Sequence, residues 1–120
     1  MVVLADTSIW IAHLRQTNIH LAALLEEGIV AIHPFVIAEL ACGRLKNRKE
    51  ILSLLNALPE APVVNQSELL HFIDQRALAG SGIGFVDAHL LASSELMGVL
   101  LWTSDKPLQR VADKMGLTYA

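Results

Sequence analysis

A single cysteine and the lack of any long apolar run are the first scarcities of this 120-residue sequence. Each scarcity closes off an account. Cys42 cannot form an intrachain disulfide and has no metal-ligand spacing around it. Its place in the apolar run Ala38 to Leu45 reads as that of a small core residue. The apolar stretches fall far short of the roughly 20 residues that span a membrane. Met1-Val2-Val3-Leu4 meets Asp6 at once, without the pattern of a secretory signal. The expectation is therefore a cytoplasmic protein with no membrane partner. No repeat, low-complexity segment or linker stands out, and the length suits one compact unit, so residues 1–120 are read as a single domain.

A surplus of positive charge is also missing. Nine basic and twelve acidic residues leave a net charge of −3, which does not by itself mark a nucleic-acid binder. Distribution matters more than the sum. Arg44, Lys46, Arg48 and Lys49 fall within six positions. What the chain has in excess is apolar residues. With glycine counted in place of tyrosine they make up about 58%, against a usual 45–50%. A small domain hides such a surplus with difficulty, so an oligomer, a helical partner or both are expected.

Short apolar runs alternate with helical patterns. Val2 to Ala5 reads as a buried strand ended by Asp6-Thr7-Ser8, followed by helical spacing over Ile9 to Arg15 and Leu21 to Glu27. Ile29 to His33 reads as a second strand stopped by Pro34. Phe35 to Leu45 reads as a helix apolar nearly all round, and Arg48 to Leu58 as a polar one. Pro59 and Pro62 break the chain before a brief Val63-Val64 strand, and Ser67 caps a helix to Ala79. A glycine-punctuated loop leads into the helix Phe85 to Met97. Val99 to Trp102 and Leu117 to Tyr119 read as strands around a helix opened by Pro107. Strands alternating with helices imply a mainly parallel sheet covered on both faces. Ligands of such sheets bind beyond the carboxyl ends of the strands, where Asp6 and Asp105 fall.

Eight of the twelve acids have ordinary polar surroundings; Asp6, Glu39, Asp87 and Asp105 do not. Asp6 follows Val-Val-Leu-Ala, Glu39 is embedded in Phe-Val-Ile-Ala-Glu-Leu-Ala-Cys, Asp87 lies in Phe-Val-Asp-Ala-His-Leu-Leu-Ala, and Asp105 follows Val-Leu-Leu-Trp-Thr-Ser. An ionised carboxylate in apolar surroundings needs a charged partner or a metal, and basic residues are too few here to pair all four. A plainer account exists for three of them: Asp6, Asp87 and Asp105 precede or open helices, where Asp caps an orphan N–H. Glu39, in mid-helix, escapes it unless it sits on a narrow exposed stripe. The chemical account covers all four together. Mg²⁺, or Mn²⁺ in its place, takes hard oxygen ligands and needs few of them from protein. Four converging carboxylates suit one or two such ions, which would activate water for attack on a phosphodiester.

The pattern resembles the PIN-domain nucleases, and within them the VapC-type toxins of toxin–antitoxin pairs. The segments that carry the resemblance are Val3-Leu4-Ala5-Asp6-Thr7-Ser8, Ile37-Ala38-Glu39-Leu40-Ala41-Cys42-Gly43, Gly84-Phe85-Val86-Asp87-Ala88-His89-Leu90-Leu91-Ala92 and Leu101-Trp102-Thr103-Ser104-Asp105. They stand in family order over essentially the whole chain. The resemblance implies a three-layer α/β/α fold with a mainly parallel central sheet, and metal binding by Asp6, Glu39, Asp87 and Asp105 with Thr7, Ser8 and Thr103 as helpers. It further implies a Mg²⁺-dependent endoribonuclease that cuts RNA, often tRNA, leaving a 5′-phosphate and a 3′-hydroxyl. Such proteins are homodimers held inactive by a VapB-like antitoxin lying across the active-site groove.

The basic run Arg44, Lys46, Arg48 and Lys49 begins one turn after Glu39, and Lys106 and Arg110 flank Asp105. Both groups read either as clamps on RNA phosphates or as solvated helix surface. His89, two positions after Asp87 on a helix, is turned about half a circle away from it and reads as a packing residue. Trp10 and Trp102 read as core or interface anchors. Two alternatives remain on the residues alone. A phosphatase of the haloacid dehalogenase type also opens on a strand and an Asp, but wants a second Asp where Ser8 stands. A PIN fold kept only as a binding module is the other.

Overall fold

The computed structural model describes residues 1–119. Three short strands, β1 (Val3–Ala5), β2 (Val30–Ala31) and β3 (Leu100–Trp102), form a parallel sheet in the order β2-β1-β3. Val3 pairs with Val30 on one side and Leu100 on the other. Single parallel bridges extend the sheet at both edges, Ile32 with Glu60 and Leu101 with Thr118. Seven helices connect and cover it: α1 (Thr7–Arg15), α2 (Ile19–Glu26), α3 (Pro34–Cys42), α4 (Arg48–Asn56), α5 (Gln66–Gln75), α6 (Phe85–Met97) and α7 (Lys106–Lys114). The result is the α/β fold expected of alternating strands and helices. Val3, Leu4 and Ala5 are buried, as they must be on a strand covered on both faces.

The core runs through these strands into α6, whose residues Ala88 to Ser94 are all buried. That explains why α6 lacks a clean apolar stripe: it has little solvent face over two turns. Gly98 ends it in the left-handed conformation at φ 70°, which favours glycine because it lacks Cβ.

Several boundaries differ from those read in the sequence. Pro34 both ends the second strand and opens α3, because its missing N–H is not needed at the first helical position. The His33 Nδ1 caps α3 by accepting from the Phe35 N–H at 3.0 Å. The helix stops at Cys42, not Leu45, and Cys42 is exposed rather than buried. Its neighbours in sequence are apolar, but it points out of the last turn. The cap of α5 is Asn65, not Ser67: Asn65 and Glu68 form a reciprocal capping box at 2.8 and 2.9 Å. No strand forms at Val63-Val64. Pairing occurs at Glu60, where the Ala61 N–H donates to the Ile32 carbonyl at 2.7 Å, in the gap between two prolines that lack a donor.

Candidate active site

The four acids reach the carboxyl edge of the sheet by different routes. Asp6 follows β1 and caps α1; Asp105 follows β3 and caps α7. Glu39 sits in the second turn of α3, and Asp87 in the first turn of α6. Gly82, at φ +89°, brings the loop before α6 against α7, with its Cβ position 3.5 Å from Pro107 Cβ. A side chain there would strain the backbone that sets α6 beside Asp105.

Only Asp6 is deeply buried, at 4% exposure. Its Oδ1 accepts from the Ile9 N–H at 3.2 Å and the Ser8 hydroxyl at 2.5 Å, and its Oδ2 accepts from the Thr103 hydroxyl. The Ser8 Oγ in turn accepts from Ser104, through its N–H at 3.2 Å and its hydroxyl at 2.9 Å. The Thr103 Oγ1 accepts from the Asp105 N–H at 2.9 Å, and Asp105 Oδ2 from the Leu108 N–H at 3.0 Å. Glu39 Oε1 accepts from the Thr7 hydroxyl at 2.5 Å, which ties α3 to α1. Asp87 Oδ2 accepts from the Gly84 N–H at 3.2 Å. Thr7, Ser8 and Thr103 thus each hold an acidic side chain. The Gly84 N–H holds Asp87 and Ser104 holds Ser8, and no local signal in the sequence distinguishes them.

The capping account is therefore correct for Asp6 and Asp105, and Asp87 bonds back to the start of its own helix. It does not use all their oxygens. Glu39 Oε2, Asp87 Oδ1 and Asp105 Oδ1 make no hydrogen bond among the described residues. Burial of the whole set is not observed: Asp87 is half-buried, while Glu39 and Asp105 are exposed. An apolar sequence context placed them at the lip of the core rather than inside it.

Two carboxyls are shifted. Burial pushes Asp6 above the ordinary carboxylate range, against the hydrogen bonds from Ser8, Thr103 and Ile9, which favour its ionised form. Asp87 is also raised. Partial burial is the largest cause, the Gly84 N–H opposes it, and the charges of Asp105, Asp6 and Glu39 add to it. The four acids thus share one electrostatic neighbourhood, although they come from distant parts of the chain. Among the described residues, no group of three or more His, Cys, Asp or Glu side chains stands close enough to hold a metal ion. Like charges keep apart, and each is tethered by its own donor. In donor type the set fits Mg²⁺ or Mn²⁺, being all carboxylate oxygen with no thiolate or imidazole.

The basic residues divide. The Arg48 guanidinium donates to the Ala41 carbonyl at 2.6 Å and the Gly43 carbonyl at 3.3 Å, closing the end of α3. Arg44 and Lys46 line a groove of about 690 Å³ between α1, α3 and α4, with Arg15, Ile11, Leu14 and Glu39. Lys49, Lys106 and Arg110 are exposed. His89 is buried beside His33 and the rings of Phe35 and Phe85, as a packing residue.

A parallel sheet with acids gathered at its carboxyl edge defines the class, and comparison names it: residues 3–114 match the PIN domain, and the chain belongs to that family. It is 44% identical over 119 residues to ribonuclease VapC32 of Mycobacterium tuberculosis, in both strain CDC 1551 / Oshkosh and strain H37Rv, across 98% of this chain and 96% of the relative. The crystal structure of PAE2754 from Pyrobaculum aerophilum is similar in fold, with a TM-score of 0.64 and 20% identity over 92% of this chain and 84% of that one. Family membership removes the haloacid dehalogenase alternative. No helix among the described residues is long and apolar enough to cross a membrane.

Proposed function

We propose that the chain is a metal-dependent endoribonuclease of the VapC type, the toxin of a toxin–antitoxin pair. The observation that carries the reading is the shared electrostatic neighbourhood of Asp6, Glu39, Asp87 and Asp105 at the carboxyl edge of the sheet, in a chain 44% identical to a ribonuclease. These four residues are the ones that would hold Mg²⁺ or Mn²⁺. Bound there, the ion would supply Lewis acidity for in-line attack of water on a phosphodiester.

The protein's own groups do the positioning. Thr103 and Ser8 favour the ionised form of Asp6 against burial, and Thr7 fixes the direction of Glu39. The free oxygens of Glu39, Asp87 and Asp105 are left to a ligand, without competition from a protein donor among the described residues. Arg44, Lys46 and Lys49 would neutralise phosphates of an RNA strand near Glu39. The groove between α1, α3 and α4, apolar at Ile11 and Leu14 and bordered by Glu39, is the surface we assign to an amphipathic antitoxin segment. Such a segment would cover the acids as it binds. The apolar surplus supports a homodimer.

The test is to sequence cellular RNA ends after brief expression of the wild type and of Asp6→Asn. New 5′-phosphate ends at discrete positions with the wild type alone are the expected result. Identical end profiles for both proteins would refute the reading.

A further inference from the structure

Phe85 is the most exposed aromatic residue, at 59%, and it is not isolated. Its ring stacks on Phe35 with centroids 5.9 Å apart and planes 21° from parallel. The His89 ring meets both edge-on, with centroids at 4.7 Å and planes at 73°. His33, fully buried, packs edge-on against Phe35 at 5.1 Å. Two buried imidazoles thus brace a pair of parallel rings whose outer member lies open to solvent. Single exposed apolar residues need no explanation; a braced, stacked aromatic pair does.

Its position suggests one. Phe85 opens α6 in the same first turn as Asp87, on the His89 side of the helix and about half a circle from Asp87. Phe35 lies one turn before Glu39, and positions i and i+4 share a helix face. The pair therefore spans the two helices that carry Glu39 and Asp87. The other large exposed apolar residues lie elsewhere: Met1 and Val63 outside the helices, Ile11, Ile19, Leu54 and Leu70 on other helices, and Leu96 about 16 Å further along α6. Phe85 is thus not the centre of a broad apolar face of the kind that joins two protein copies.

We propose that Phe35 and Phe85 form a platform on which an unpaired base of the RNA substrate stacks, at the start of the two helices that carry Glu39 and Asp87. The proposal rests on the nuclease reading given above. A site made of acids offers little grip on a polyanion, and near Asp87 the first turn of α6 carries no basic residue; Lys106 and Arg110 lie on α7, and Arg44 and Lys46 past the end of α3. An aromatic face holds a base without charge and tolerates any base, because each has a π-face. Single-stranded loops present such bases, whereas a duplex hides them. The platform thus favours unpaired positions of a folded RNA.

The test uses the full chain, with the wild type, Phe85→Leu and Phe85→Trp compared, and Asp6→Asn as the inactive reference. The probe is a short single-stranded oligoribonucleotide spanning a cleavage position mapped from RNA ends, with 2-aminopurine placed at successive positions. The expected result is quenching at one position flanking the cut by the wild type and Phe85→Trp, but not by Phe85→Leu. Phe85→Leu should raise KM about tenfold at low and at high salt, leave kcat nearly unchanged and keep the molecular mass by light scattering. Unchanged KM and quenching in Phe85→Leu would overturn the platform. So would a fall in mass, which would assign the pair to contact with a second copy. If Asp6→Asn is inactive while Phe85→Leu matches the wild type, only the platform is lost. If the wild type cuts no RNA, the nuclease reading fails and the platform fails with it.

Discussion

The Thr103 hydroxyl donates to Asp6 Oδ2, joining the ends of two neighbouring parallel strands across 97 positions of chain. The same Thr103 oxygen accepts from the Asp105 N–H at 2.9 Å. One hydroxyl therefore links two of the four acids, and it favours the ionised form of the most buried of them.

Thr103→Val keeps the shape and removes that link. Asp6 should then titrate at still higher pH, because burial acts with less opposition. RNA cleavage should fall by roughly 10- to 100-fold, the usual loss when an outer partner of a metal ligand is removed. The acid limb of the pH–rate profile should move upward, and Thr103→Ser should restore both. A profile unchanged in Thr103→Val would show that Asp6 does not depend on this bond.

Asp6 and Asp87 should make the metal-free protein less stable at neutral pH. A carboxyl whose pKa is raised by folding binds its proton more readily in the folded state. Stability contributed by such a group therefore rises as pH falls through the raised value toward the unfolded value near 3.8. Asp6→Asn, which keeps a capping oxygen, should melt at the same temperature or higher at pH 7, with the gain shrinking toward pH 4. Added Mn²⁺ should raise the melting temperature of the wild type more than that of the variant. A variant that melts lower at pH 7 and equally low at pH 4 would contradict the burial argument.

His33 works in the opposite sense. Burial and its neighbour His89 hold it down at about 4 from an ordinary 6.5. The unfolded chain then takes up a proton that the folded chain refuses, so stability is lost as pH falls from 6.5 to about 4. His33→Asn retains a cap for α3 and removes the titration. Its melting temperature should drop less between pH 7 and pH 5 than that of the wild type. Equal drops would place the acid sensitivity elsewhere.

The basic residues should separate by role. Replacing Arg44, Lys46 and Lys49 with Gln should weaken RNA binding and flatten its salt dependence by about 0.7 in log–log slope for each phosphate left without a cation. Arg48→Gln should act mainly on stability, lowering it by about 1 kcal/mol because the carbonyls at the end of α3 lose their donor. Salt titrations of binding beside denaturant titrations of each variant make the distinction. An Arg48 variant that alters only the salt slope would reverse the assignment.

The parts of this fold most legible in the sequence are those with a local cause. Val-Val-Leu-Ala before Asp6 is a strand because both faces are covered, and Asp6 caps α1 for the same reason any Asp caps a helix. Glu39 stands out in the sequence for its apolar neighbours, yet Val36 and Leu40 face the core while Glu39 faces out. The residue is found by an argument whose premise, burial, does not hold. Cys42 departs in the same way, since neighbours in a helix point in different directions and a run of small apolar residues does not fix which one turns outward. Asn65 outcompetes Ser67 because Glu68 stands three residues after Asn65 and completes the box. Arg48 and the Thr7–Glu39 bond are beyond the reach of sequence, because both depend on how α3 ends and which helix lies against it. The Phe35–Phe85 pair, brought together across about 50 positions, has no sequence signature at all.

The most direct test of the central claim is cleavage of RNA by the purified chain with Mg²⁺, with excess EDTA, and with Asp6→Asn in Mg²⁺, all on one substrate. We expect cleavage to 5′-phosphate ends with Mg²⁺, none in EDTA with recovery when the ion is restored, and a loss on the order of 100-fold or more in Asp6→Asn. Full cleavage in EDTA, or equal cleavage by Asp6→Asn, would contradict the account.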